Sequence, residues 1–329
     1  MLTREALLSK GWPQELVSSF LDKRERGLPK DSVLLLQGVS KSFAKKVLDN
    51  ISLEVKGGEI LGLVGPSGCG KTTLLKLLVG YYMPDQGDVV LKLGEESFSV
   101  SKDPNSVKSL VGFATQDASI YPGLSVFENL MYFVSLNGVV SSDRFQRCTE
   151  LLKLVRLSNS KDVLAKDLSG GMQKRLDIAC ALSNNPKILL LDEPTADLDP
   201  VLRKEFWELV KDINKRNTTV IIASHFVSEI EYLCDRIAVI SDAKLLFVGA
   251  PSALANVSCD VFFESLNKNY DAILAKLSVP HKVVRKGSEL VLRSSDPAKL
   301  VVALANACQA AGDTVIRLEK GSALEALFS

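Results

Sequence analysis

Four short stretches of this chain carry residues suited to phosphate chemistry. Gly65-Pro66-Ser67-Gly68-Cys69-Gly70-Lys71-Thr72 fits the pattern G-x-x-x-x-G-K-[ST]. Glycines at that spacing let the backbone wrap a polyphosphate and turn its N–H groups inward. The helix expected to follow, through Thr72 and Thr73, adds a favourable field at its N-terminus. Lys71 is expected to reach the outer phosphates, and Thr72 to offer its hydroxyl oxygen to Mg²⁺. Cys69 lies beside Lys71 and that helix start, so an acidified thiol is expected. Asp192 and Glu193 end an apolar run beginning at Ile188, at the edge where parallel sheets bind ligands. Asp192 is the expected metal partner, and Glu193, one residue on, is expected at the edge of the nucleotide pocket. His225 follows the apolar stretch Thr218–Ser224, and Ser169-Gly170-Gly171 precedes a helical pattern whose N-terminus favours an anion.

These residues need a scaffold, and the hydrophobic pattern describes one. Strands are expected over 32–43, 47–65 (two strands with a turn at Gly57-Gly58), 88–98, 109–117, 187–194 and 218–225, with a closing hairpin over 237–249. Helices are expected over 72–82, 127–138, 141–157, 172–185, 203–217 and 228–236, with Leu151, Leu152, Val155 and Phe145 on one face of the helix over 141–157. Isoleucine and three leucines at 188–191 run without alternation, as in a strand covered on both faces. The fold class is therefore α/β: a mainly parallel central sheet, with the opening strands forming an antiparallel part beside it. Residues 1–31 read as a helical N-terminal extension stopped by Gly27 and Pro29, 32–250 as the main domain with a helical portion at about 120–180, and 251–329 as a small α+β accessory domain. In the last, Pro251 to Ser258 is expected to be a linker. Helix, strand, strand, helix and strand then follow from Tyr270, and a short helix closes the chain over 322–328.

Composition narrows the function. The chain has 329 residues, 40 basic and 39 acidic side chains and a net charge of +1, which argues against a dedicated nucleic-acid surface. No stretch approaches 18 apolar residues and no signal peptide is evident, so a membrane span is not expected. Six scattered cysteines without a C-x-x-C pair, and only two histidines, argue for a reduced cytosolic setting and against structural zinc.

Leu168-Ser169-Gly170-Gly171-Met172-Gln173 resembles the signature segment of ABC transporter ATPase subunits. The resemblance runs from about 33 to 248 and takes in the phosphate loop, Gln116, Asp192-Glu193-Pro194, Ala196-Asp197-Leu198-Asp199 and His225, in the family order. It implies a P-loop ABC ATPase fold that binds ATP and Mg²⁺ and works as a nucleotide-sandwich dimer. By that resemblance Glu193 polarises the attacking water, aided by His225 and Gln116. Thr72, Asp192 and Gln116 serve the metal. Ser169, Gly170, Gly171 and Asp199 act on the site of a second subunit, homodimeric or related. Phe43 matches the aromatic residue that stacks on the adenine base.

Pro122 to Gly138 and Leu318 to Phe328 resemble the corresponding stretches of ABC-2 type multidrug and polysaccharide exporters. They imply a separate integral membrane permease and a place on the cytoplasmic face of the cell membrane through it. The competing functions are an importer subunit, or an ABC ATPase acting on the ribosome or on nucleic acid. Against the last stand the single phosphate loop, the absence of sustained heptads and the neutral charge.

Overall fold

A computed structural model describes residues 32–254 and 259–321. The expected helices within 1–31, the end of the expected linker and the closing helix over 322–328 lie outside the described residues. The elements, in chain order, are β1 (Ser32–Ser42), β2 (Lys46–Lys56), β3 (Ile60–Val64), α1 (Lys71–Leu78), β4 (Gln86–Leu93), β5 (Glu96–Ser99), α2 (Pro104–Leu110) and β6 (Val111–Ala114). Then come α3 (Val126–Leu136), α4 (Ser141–Leu154), α5 (Gly170–Ala181), β7 (Ile188–Asp192), α6 (Pro200–Asn214), β8 (Thr219–Ala223), α7 (Val227–Leu233), β9 (Arg236–Ser241) and β10 (Lys244–Gly249). The last set is β11 (Cys259–Ser265), α8 (Tyr270–Leu274), β12 (Lys282–Lys286), β13 (Leu290–Ser294), α9 (Pro297–Ala310) and β14 (Val315–Lys320).

The catalytic unit ends at Gly249 and is built on two sheets. One is antiparallel, in the order β2-β1-β4-β5. The other runs β10-β9-β3-β8-β7-β6, parallel throughout except for the β9–β10 hairpin. The turn at Gly57-Gly58 therefore passes the chain from one sheet to the other. β3, β7 and β8 are buried at every residue, which is why they lack alternation. Leu74, Leu75, Leu77 and Leu78 of α1 join residues of both sheets in one core. That shared core fixes the start of α1, and with it the phosphate loop. The stretch expected as one strand over 88–98 is a hairpin, β4 and β5, turned at Gly94 with φ +61°.

The helical portion holds α3, α4 and α5. A capping box closes the start of α3: Ser125 Oγ accepts from the Glu128 amide, and Glu128 accepts from the Ser125 amide. In α4, Cys148, Leu151 and Leu152 are buried and so is Val155 just beyond. Phe145 is not on that face; it is exposed, and its ring lies tilted against that of Phe127 with centroids 5.6 Å apart.

From Ala250 the chain forms a second compact unit. Pro251–Leu254, the start of the expected linker, is a short 3₁₀ turn. β11, α8, β12, β13, α9 and β14 make a fully antiparallel sheet in the order β12-β13-β11-β14, the split βαβ arrangement of ferredoxin-like domains. Sequence reasoning missed β11, which is a central strand. Its period-two signal was present: Val261 and Phe263 point into the core with Leu290, Leu292, Leu300 and Leu304. It is short and follows the expected linker, so the stretch between Ser258 and Tyr270 carries no assignment from sequence.

Candidate active site

The phosphate loop joins the end of β3 to the start of α1. A Cβ on Gly65 would stand 2.2 Å from the Ile240 carbonyl oxygen, so only glycine fits where β3 passes β9. Gly70 takes φ +110°, beyond the reach of other residues, and turns the chain into α1. Lys71 is buried, and its ammonium donates to the carbonyls of Gly65 at 2.8 Å and Pro66 at 3.3 Å. The same ammonium lies 3.7 Å from Glu193 Oε1.

Glu193 follows the last residue of β7 with φ +47°, a conformation that costs a non-glycine residue energy and must be held by its surroundings. The holding groups are visible. The Glu193 amide donates to Ala223 at the end of β8, at 2.8 Å. Its Oε2 accepts from the His225 amide at 3.3 Å and lies 2.7 Å from His225 Nδ1. β8 ends at Ala223, two residues before His225, so the histidine sits in the loop rather than on the strand. The ends of β3, β7 and β8 thus bring Lys71, Glu193 and His225 into one string.

Asp192 is almost fully buried, and burial pushes its carboxyl up while a hydrogen bond from the Thr72 side chain pulls it down. Its Oδ1 has no protein hydrogen-bond partner. A buried carboxylate oxygen left in that state calls for a cation or water. With the Thr72 hydroxyl beside it, this donor set fits a hard divalent ion. The acidified Cys69 thiol is not found: burial raises its pKa, and the opposing effect of Lys71 is smaller.

The remaining expected residues stand apart from that string. Gln116 is exposed, and its carbonyl accepts from the Lys174 ammonium. Ser169 caps α5, accepting from the Met172 amide at 3.4 Å; Ser169 and Gly170 are exposed, while Gly171 is buried beside Leu202 and Leu198. Asp199 caps α6, accepting from Val201 and Leu202 amides at 2.9 and 3.0 Å. Gln116, Gly170, Gln173, Lys174, Asp197 and Leu198 line one cavity of about 420 Å³. Phe43 is 53% exposed, which excludes a core role, and meets Tyr82 edge-on at 5.2 Å.

Two groups escaped sequence reasoning. Tyr82 extends the aromatic surface at Phe43 and had no pattern of its own. Asp177 of α5 accepts from the Ser119 amide at 2.8 Å, and burial pushes its carboxyl up to about 6. An acid on the apolar side of a helix was the available signal.

The chain matches the ABC transporter family over residues 48–196. It is 34% identical over 279 residues to the Nod factor export ATP-binding protein I of Cupriavidus metallidurans, covering 83% of this chain and 90% of that protein. It is 32% identical over 225 residues to the linearmycin resistance ATP-binding protein LnrL of Bacillus subtilis, covering 68% and 71% respectively. Among solved structures, a dimeric ATP-binding cassette bound to ADP and Pi in a post-hydrolysis state superposes with a TM-score of 0.59 at 27% identity, over 66% of this chain and 98% of that one. No helix among the described residues is long and apolar enough to cross a membrane. Sequence likeness, fold and phosphate loop agree that this chain belongs to the family of ABC transporter ATP-binding ATPases.

Proposed function

We propose that the chain powers an ABC-2 type exporter, working as a nucleotide-sandwich dimer on a separate membrane permease at the cytoplasmic face of the cell membrane. The observation that carries the catalytic part is the string Lys71–Glu193–His225 at the ends of three buried strands. The transport part is supported by the relatives named for Nod factor export and linearmycin resistance. No described helix is long and apolar enough to span a membrane, and this reading gives the spans to a separate permease.

In this reading the outer phosphates of ATP take over the Lys71 ammonium from the Gly65 and Pro66 carbonyls, which hold it here. Phosphate oxygens also draw His225 away from Glu193. The carboxylate is then free to accept a proton from the attacking water. The water oxygen bonds to the γ-phosphorus, the β–γ bridging bond breaks, and its electron pair stays on ADP. Thr72 and Asp192, with Gln116, are the residues that would hold Mg²⁺, whose charge offsets that developing on the phosphates. Phe43 and Tyr82 present an edge for the adenine. Ser169, Gly170, Gly171 and Asp199 serve the site of the second subunit, because in their own chain they lie outside the string. Residues 251–329 are an accessory domain to this machine, and 1–31 an extension.

The test is capture of the full chain from detergent-solubilised membranes. A co-purifying polypeptide with several apolar spans, whose presence raises ATP hydrolysis, is expected. ATP hydrolysis with no membrane partner would overturn the transport assignment while leaving the ATPase intact.

A further inference from the structure

Behind the catalytic string, a second group of side chains ties the segment after Glu193 to the loop that carries His225. Arg203, in the first turn of α6, makes three contacts at once. Its Nε donates to the Leu198 carbonyl at 2.7 Å. One of its terminal nitrogens lies 3.4 Å from Glu229 Oε1 on α7. Its guanidinium carbon stands 4.1 Å from the centre of the Phe226 ring. That ring in turn lies 4.1 Å from the His225 ring. Thr195 closes the circuit, its hydroxyl donating to Glu229 Oε2 at 2.9 Å. Glu229 is largely shielded, with 11% of its side chain exposed.

This arrangement has a consequence for the reaction. Leu198 lies between Asp197 and Asp199, in the segment that the proposed function sets against the second subunit. His225 and its neighbour Phe226 lie on the other side of the same guanidinium. A planar fork with five donors and a stacking face can hold a carbonyl, a carboxylate and a ring together; a lysine ammonium is a point charge and cannot. Displacing the Leu198 carbonyl therefore alters what Arg203 can offer to Phe226 and Glu229, and both belong to the loop and helix that follow His225.

We infer that Arg203 is a positioning residue that couples the 195–199 segment to the placement of His225, so that arrival of the partner subunit is felt at the hydrolytic site. The inference rests on the sandwich-dimer reading above. The Arg203 side chain touches neither the phosphate loop nor any side chain expected to meet ATP, so its effect is on the rate rather than on nucleotide binding.

The experiment uses the full chain with Arg203→Lys, Arg203→Ala, Phe226→Leu and the double variant Arg203→Lys/Phe226→Leu. ATP affinity is read at equilibrium, and kcat and KM from steady-state hydrolysis. Both Arg203 variants are expected to lower kcat by about tenfold or more, since small misplacements of a catalytic group are costly. Their ATP affinity should stay within about twofold of the parent. Phe226→Leu should give a similar loss, and the double variant should lose little more than either single one, because all three break the same connection. The lysine variant keeps the charge and the bulk of the stem, so it reports even where the alanine variant fails to fold. A folded Arg203→Lys chain with parental kcat overturns the inference, as does a matching loss of ATP affinity or additive losses in the double variant. Glu193→Gln is measured in parallel. If it hydrolyses ATP at the parental rate, the reading of the site itself fails and takes the inference with it. If it is inactive while Arg203→Lys is unaffected, only the coupling fails.

Discussion

The two halves of the nucleotide site are built differently. The phosphate-loop half is wired within the chain: Lys71 to two loop carbonyls and Glu193, and Glu193 to His225 and to the end of β8. The signature half is not. Ser169 and Asp199 spend their side chains on capping α5 and α6, and Ser169 and Gly170 face outward with a helix start behind them. On the sandwich-dimer proposal, a site that needs both kinds of group and holds only one in place within the chain gains the other from a second subunit. The difference also explains why isolated caps are ambiguous. The same serine that ends a helix in one chain can meet a phosphate held by another.

Breaking the wired half should have the larger effects. Glu193→Gln removes the proton acceptor with little change of shape, and kcat should fall by about 10²–10⁴ with ATP still bound; steady-state phosphate release measures this. Lys71→Ala removes the buried ammonium, and ATP should bind about 10–100 times more weakly in an equilibrium titration, the size of a lost charge-assisted contact. Unchanged affinity would contradict the phosphate-loop assignment.

A smaller effect is expected at Asp177, which joins α5 of the signature half to the segment after Gln116. Its carboxyl is raised from 3.8 to about 6 by burial. The folded state therefore holds this proton more tightly than the unfolded chain. The stability it contributes is complete below the ordinary value and is lost as pH rises through about 6. Asp177→Asn, neutral at every pH, should stabilise the protein by on the order of 1 kcal/mol at pH 7.5 and not at pH 4. Melting temperatures at the two pH values check it, and an equal shift at both would contradict it. The smallest effect is expected from ending the chain at Gly249, where the last element of the catalytic unit ends. ATP affinity of the truncated protein should be unchanged, and an insoluble product unable to bind ATP would show that the boundary is misplaced.

What the sequence disclosed follows the same division. The phosphate loop, Asp192-Glu193 and the buried strands were legible because each chemical residue sits at the end of an apolar run, and such runs have few other uses. The crossover of the chain between two sheets at Gly57-Gly58 was less so, since a turn signal does not say which strands pair. Phe145 looked apolar and periodic yet is exposed, as helical spacing alone does not say which stripe meets the core. β11 escaped assignment because a seven-residue strand directly after a linker carries little signal when no motif marks it. The Cys69 thiol was misread because proximity to a cation was visible in the sequence and burial was not. Arg203 and Glu229 were invisible for a related reason: they are 26 residues apart, and only the packing of α6 against α7 joins them.

The central claim is that ATP held by one chain is closed over by the signature of another. Sedimentation of Glu193→Gln with saturating ATP tests it most directly, because that variant binds nucleotide and cannot consume it. A dimer with ATP, a monomer without nucleotide, and loss of the dimer when Ser169→Arg is added to the same chain while ATP affinity persists are the expected results. A Glu193→Gln chain that stays monomeric at saturating ATP, or a dimer indifferent to Ser169→Arg, would contradict it.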